Sequence, residues 1–200
     1  MHGWRGVTRK WTSAYTLGII VKRRETRTLT GSSGAVFSDC GLYRYLLWRS
    51  WDDARPRALV LMMNPSTADE EHNDPTIERQ IQRVAMWPQI GFPFDVGGLE
   101  VANAFGYRET DSERLADLHA SGFDLVGPDN DAMILDAARR AAVVVCGWGK
   151  PGRLGGRDAA VLTLLRDAGV TPYALALNKN GTPKHPLYVR YDTVPVRMPI

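Results

Sequence analysis

Along most of this chain apolar and polar positions do not alternate; short unbroken apolar runs are separated by stretches with helical spacing. The runs fall at 57–63, 99–103, 142–146 and 172–177. The first contains Leu59 to Met63, five apolar residues in succession, the pattern of a strand covered on both faces, as in parallel sheets flanked by helices. Between the first two runs, residues 74–87 place Ile77, Ile81, Val84 and Ala85 on one helical face. Asp74 caps that helix and Pro75 opens its first turn. A second helix is predicted over 128–141, with acidic residues in its first turn and Arg139 and Arg140 in its last, both complementing the helix dipole. A third runs over 157–168 and stops at Gly169, and a short one is predicted near 112–119. Upstream, the aromatic-rich stretch 42–51 reads as an edge strand leading into the core, and Gly31 to Gly34 as a turn or linker. Four strands alternating with helices predict a three-layer α/β/α sandwich with a mainly parallel four-stranded central sheet.

With 200 residues the chain can bury one sizeable core. It contains no run of about 18 apolar residues, so no membrane span is expected, and no signal-peptide pattern opens it. Cys40 and Cys146 are too few for a disulfide scaffold or a zinc knuckle. A reducing cytoplasm is the expected location. The net charge of +3 is unevenly placed: residues 1–30 hold seven basic residues and one acid, a net +6, which leaves −3 for the rest. The organisation expected is therefore a basic N-terminal extension over 1–35, solvated or partly disordered, and a single α/β domain over 36–200. A basic arm can also contact phosphates.

In parallel α/β sheets ligands bind beyond the carboxyl ends of the strands. That rule gathers Asn64, Pro65 and Ser66, then Asn103, Trp148 and the loop from Asn178 to His185 on one rim. The asparagines can orient a water or read a polar edge, although an asparagine at a strand end also serves simply as a turn-former. His185, between Pro183 and Pro186, is a candidate acid, base or hydrogen-bond donor, and is otherwise a surface loop residue. Asp74 is a candidate carboxylate of the same crevice beside its capping role. Arg108 could meet an anion, and Trp148 could stack on a ring. Gly147 to Gly152 matches the dinucleotide fingerprint in form, but Pro151 lies inside its turn and the next strand exits at Asn178 without an acid for a ribose, so no NAD site is read from it. Its glycines are expected to let a loop backbone approach a ligand. The histidines show no metal-ligand spacing, and neither a metal nor a cofactor is expected.

Asn64 to Asp69, Asn73 to Thr76, Asn103 to Arg108, Gly127 to Asn130, Gly147 to Gly149 and Lys184 to Tyr188, taken in order over about 38–192, closely resemble a bacterial and phage family known only as a domain of unknown function. More distantly, the layout looks like the uracil-DNA glycosylase superfamily. Asn64-Pro65 matches its first motif, Asn103 its base-reading asparagine, 143–149 its third strand and His185-Pro186 its last motif. Ser66 replaces the usual aromatic, and Leu187-Tyr188 replaces a serine-rich continuation. The resemblance implies a glycosylase-like hydrolase that cleaves an N-glycosidic bond of a base in DNA, a nucleotide or a nucleoside. In it Asn64, with Asp74, positions water, His185 stabilises the departing base and Asn103 reads it. The partners implied are nucleic acid or a nucleotide. The alternatives are a non-catalytic nucleotide or nucleic-acid binding module of the same fold, and another small-molecule hydrolase or transferase.

Overall fold

The computed structural model describes residues 8–16, 19–111 and 113–199. It is an α/β structure with a mixed sheet of nine strands in the order β1-β2-β3-β4-β6-β5-β7-β8-β9. The strands are β1 (Thr8–Thr16), β2 (Ile19–Arg27), β3 (Ser32–Ser38), β4 (Arg44–Ser50), β5 (Arg57–Met62), β6 (Gly98–Asn103), β7 (Val143–Cys146), β8 (Pro172–Ala174) and β9 (Val196–Arg197). Four α-helices accompany them: α1 (Pro75–Met86), α2 (Arg114–Ala120), α3 (Asn130–Arg140) and α4 (Arg157–Asp167).

The four expected strands are β5 to β8. They run parallel to one another in the middle of the sheet, β6 beside β5, β5 beside β7 and β7 beside β8. The expectation of a mainly parallel four-stranded sheet is corrected, because every other pairing, from β1 through β4 to β6 and from β8 to β9, is antiparallel. β4 is likewise not an edge: it pairs with β3 on one side and β6 on the other, so both of its backbone edges are occupied. Of the stretch read as a basic extension, residues 8–16 and 19–27 form β1 and β2 of this sheet, and residues 1–7 lie outside the described residues. Ser32 to Gly34, expected in a turn, belong to β3. Gly34 is required there because a Cβ would sit 2.1 Å from the Trp48 ring.

Residues of alternating strand positions feed two buried clusters. Leu59, Leu61, Val144 and Cys146 join Met133, Ile134, Ala137, Val161 and Leu165 of α3 and α4. Ala58, Val60, Val143 and Val145 join Ile77 and Val84 of α1, with Trp87 and Phe92. Both faces of β5 and β7 are thus buried, which is why their sequences show no alternation. Among the described residues no helix is long and apolar enough to cross a membrane.

Candidate functional site

The three central strands finish at one level and are tied there. The amides of Ala104 and Phe105 donate to the carbonyls of Met62 and Met63 at 2.8 Å each, and the amide of Gly147 donates to Leu61 at 2.7 Å. Beyond these ends opens a cavity of about 680 Å3, lined by Asn64, Ser66, Asp74, Trp148, Asn178 and His185 among others. Six of the residues proposed from sequence therefore meet in one cavity. Pro65, Asn103 and Arg108 do not line it.

Asn64 leaves β5 with its amide fixed. Its Nδ2 donates to the carbonyl of Glu109 at 2.7 Å and to that of Pro65 at 3.1 Å. Both amide hydrogens are engaged, so Oδ1 is the atom this side chain offers, and it is an acceptor. Asp74 caps α1 as expected, its Oδ1 accepting from the amide of Ile77 at 2.8 Å. It also lines the cavity, so both readings of this carboxylate are compatible.

His185 precedes a short 3-10 turn, Pro186–Tyr188, and its Nδ1 accepts from the amide of Leu187 at 3.4 Å. An accepting Nδ1 puts the imidazole proton on Nε2. Burial holds the ring below its ordinary pKa of 6.5, with the Asp74 carboxylate opposing the shift. The result is a neutral imidazole whose remaining function is to donate. Two glycines seat this segment against the end of β7. A Cβ on Gly147 would lie 2.8 Å from the Pro186 ring, while Gly149, at φ +73°, donates its amide to Pro183 at 2.9 Å. These glycines, expected to admit a ligand, admit the His185 segment.

Trp148 is a core side chain, 1% exposed, packed against Gly152. It borders the cavity but offers no free face for stacking, and among the described residues its indole nitrogen has no acceptor. Asn178 organises its own turn, donating from Nδ2 to the hydroxyl and carbonyl oxygens of Thr182 at 3.0 and 3.2 Å. Pro65 contributes its carbonyl, which accepts from the amide of Glu109 at 3.0 Å. Arg108 lies over the Phe37 ring and beside a separate shallow depression.

Asn103 is buried behind the cavity, 1% exposed, where its Oδ1 accepts from Nη2 of Arg44 at 3.4 Å. Arg44 itself lines the cavity, and the sequence reading missed it. It sits at the start of β4, and because β4 runs antiparallel to β6 that start lies at the level where β6 ends. Its Nη1 donates to the carbonyl of Ala68 at 2.6 Å, which also anchors the loop between β5 and α1. Burial pushes its guanidinium down to about 10, with Asp74 the main opposing influence, so it remains a cation at neutral pH. Lys150, Lys184, Glu109, Thr110, Leu187 and Tyr188 complete the polar and apolar parts of the wall. Tyr188 is 82% exposed at its mouth, 5.9 Å from the His185 ring. Lys184 and Tyr188 lie inside the resembling motif; the long, flexible Lys150 carried no signal that distinguished it from a solvated lysine.

The fold and cavity define an α/β protein whose pocket, of mixed polar and apolar lining, lies at the carboxyl ends of parallel strands, the usual place of a ligand site in such sheets. The family described as a protein of unknown function (DUF1643) matches residues 44–187, and the chain belongs to it. No curated protein and no solved structure matches the chain.

Proposed function

We propose that this cavity is the reaction site of a glycosylase-like hydrolase that cleaves the N-glycosidic bond of a base in DNA, a nucleotide or a nucleoside. The observation that carries the reading is the pairing of one fixed acceptor with one fixed donor. Asn64 offers only Oδ1, which suits holding a water. His185 offers only Nε2–H, which suits a base that is gaining negative charge. In the reaction the C1′–N bond breaks with its electron pair leaving on the base, while the sugar develops oxocarbenium character. Water held by Asn64 and Asp74 adds its oxygen to C1′ and gives up a proton, and the base takes one up. A donor placed where the base charge develops is worth about 2.7 to 4 kcal/mol.

The likeness to the uracil-DNA glycosylase superfamily, including a three-layer arrangement, belongs to this proposal. It is supported by the parallel middle of the sheet and by buried helical residues packed on opposite faces of β5 and β7. The burial of Asn103 behind Arg44 supports a second reading, a nucleotide-binding module without turnover, because the residue meant to read the base does not reach the wall. Mass spectrometry of base release separates the two, using normal, deaminated and modified DNA, nucleotides and nucleosides. Release that disappears in folded His185→Ala and Asn64→Ala variants is expected; release from no substrate would contradict turnover.

A further inference from the structure

Arg44 is a buried cation whose hydrogen-bonding capacity is mostly unused. A guanidinium carries five N–H groups, and Arg44 uses two of them, on Ala68 and on Asn103. Among the described residues its Nε has no acceptor. The indole nitrogen of Trp148 and Nδ2 of Asn103 are equally without one among the described residues, so the unsatisfied buried groups of the cavity-lining residues are donors, while deeper in the core Oδ1 of Asn130, whose Nδ2 donates to the carbonyls of Asn103 and Ala104, is an acceptor without a partner. Buried donors normally find acceptors, since leaving one unpaired costs about 1 to 3 kcal/mol.

The charged groups of the same cavity point the same way. Arg44, Lys150 and Lys184 line it, against Asp74 and Glu109. Glu109 is already engaged: its carboxylate accepts from the amides of Thr110 and Asp111 at 2.8 and 3.1 Å and faces Arg114 at 3.6 Å. None of the three cations forms an ion pair among the described residues. The basic strand β2 is different, for Lys22, Arg23, Arg24 and Arg27 are all paired with carboxylates. Among the described residues the cations of the cavity are thus without carboxylate partners, whereas those of the basic strand β2 have them.

From the unpaired cations and orphaned donors we infer that the cavity binds the phosphate of a free nucleotide, with Arg44 as its buried cation and Lys150 and Lys184 as the pair nearer solvent. The inference rests on the proposed reaction site and names its substrate class, a phosphorylated nucleoside in preference to the neutral nucleoside. A volume of about 680 Å3 is of the size that holds one drug-sized ligand.

Calorimetric titration of the full chain tests it, with inorganic phosphate, nucleoside 5′-monophosphates, the matching nucleosides and a short single-stranded oligonucleotide as probes. Monophosphates are expected to bind at least about tenfold more tightly than nucleosides, with an advantage that shrinks as salt is raised. In the double variant Lys150→Ala, Lys184→Ala, which alters only exposed side chains, that advantage is expected to disappear while nucleoside binding stays unchanged. Equal affinities for nucleotide and nucleoside, an unchanged double variant, or absence of phosphate and monophosphate binding would each overturn the inference. Binding of the oligonucleotide alone would overturn it in favour of a strand phosphate. Base release, scored separately, keeps the two proposals apart. Phosphate-dependent binding without release removes the hydrolase and keeps the subsite; equal release from nucleosides and nucleotides does the reverse.

Discussion

Two arginines, each 1% exposed and without a carboxylate partner among the described residues, one lining the cavity and one bonded to the segment after His185, are used differently. Arg83 of α1 directs all four of its Nη hydrogens at backbone carbonyls. Nη1 donates to Arg190 and Tyr191 at 2.5 and 3.3 Å, and Nη2 to Pro186 and Val189 at 3.2 and 2.8 Å. It thereby fastens the segment that follows His185 onto α1. Arg44 has two acceptors, one of them at 3.4 Å. Burial lowers both guanidinium groups to about 10, so the cost of holding the charge is similar and only the return differs. Among the described residues the Nε of each lacks an acceptor, so the difference lies in the Nη hydrogens: Arg83, whose four are all met by the chain, is a fastener, and Arg44, left with Nη hydrogens at a cavity wall, is held for something else.

The largest effect expected on this contrast is at Arg83. Arg83→Met strips hydrogen bonds from four carbonyls and should lower stability by about 3 kcal/mol in urea denaturation, loosening the His185 segment with it. Next comes Asp74, which influences both Arg44 and His185. Asp74→Asn keeps the helix cap and removes the charge, so base release should fall about a hundredfold with stability nearly unchanged, whereas Asp74→Ala should cost about 1 kcal/mol of stability as well. Arg44→Met, by contrast with Arg83→Met, should change stability by less than about 1 kcal/mol, because the desolvation cost of an unpaired charge disappears with the charge. A loss as large as that of Arg83→Met would make Arg44 a fastener too.

The smallest effect is the pH dependence carried by His185. Its pKa is lowered in the folded protein from 6.5, so the folded state binds fewer protons than the unfolded state between the two values. The contribution to stability is complete above pH 6.5 and is lost as pH falls through the lower folded value. Urea midpoints should drift downward over that window and the drift should vanish in His185→Gln; an unchanged drift would place the titrating group elsewhere.

Much of this was legible before any coordinates. The three longer helices lie within two residues of their expected ends, 74–87 against Pro75–Met86, 128–141 against Asn130–Arg140 and 157–168 against Arg157–Asp167, because caps, dipole charges and apolar spacing all act locally. The gathering of Asn64, Ser66, Trp148, Asn178 and His185 followed from one rule about parallel strands. What stayed hidden depends on pairing between distant segments. Nothing near Arg44 in sequence reveals that β4 lies antiparallel to β6, and that pairing alone brings Arg44 to the cavity. Asn103 lies opposite Met62, two positions before Asn64, so the two asparagines are not at the same level and only Asn64 lines the cavity. Trp148 looked available for stacking because the depth of its loop is set by the approach of Pro186 to Gly147.

The most direct test of the contrast is nuclear magnetic resonance of arginine Nε–H groups in the full chain. The Arg44 and Arg83 signals are assigned by their loss in Arg44→Met and Arg83→Met, and deoxyuridine 5′-monophosphate is then titrated in. The Arg44 signal is expected to move to saturation while that of Arg83 stays in place. An Arg44 signal that stays fixed, or one that moves no more than that of Arg83, would contradict the claim that Arg44 is held for a ligand.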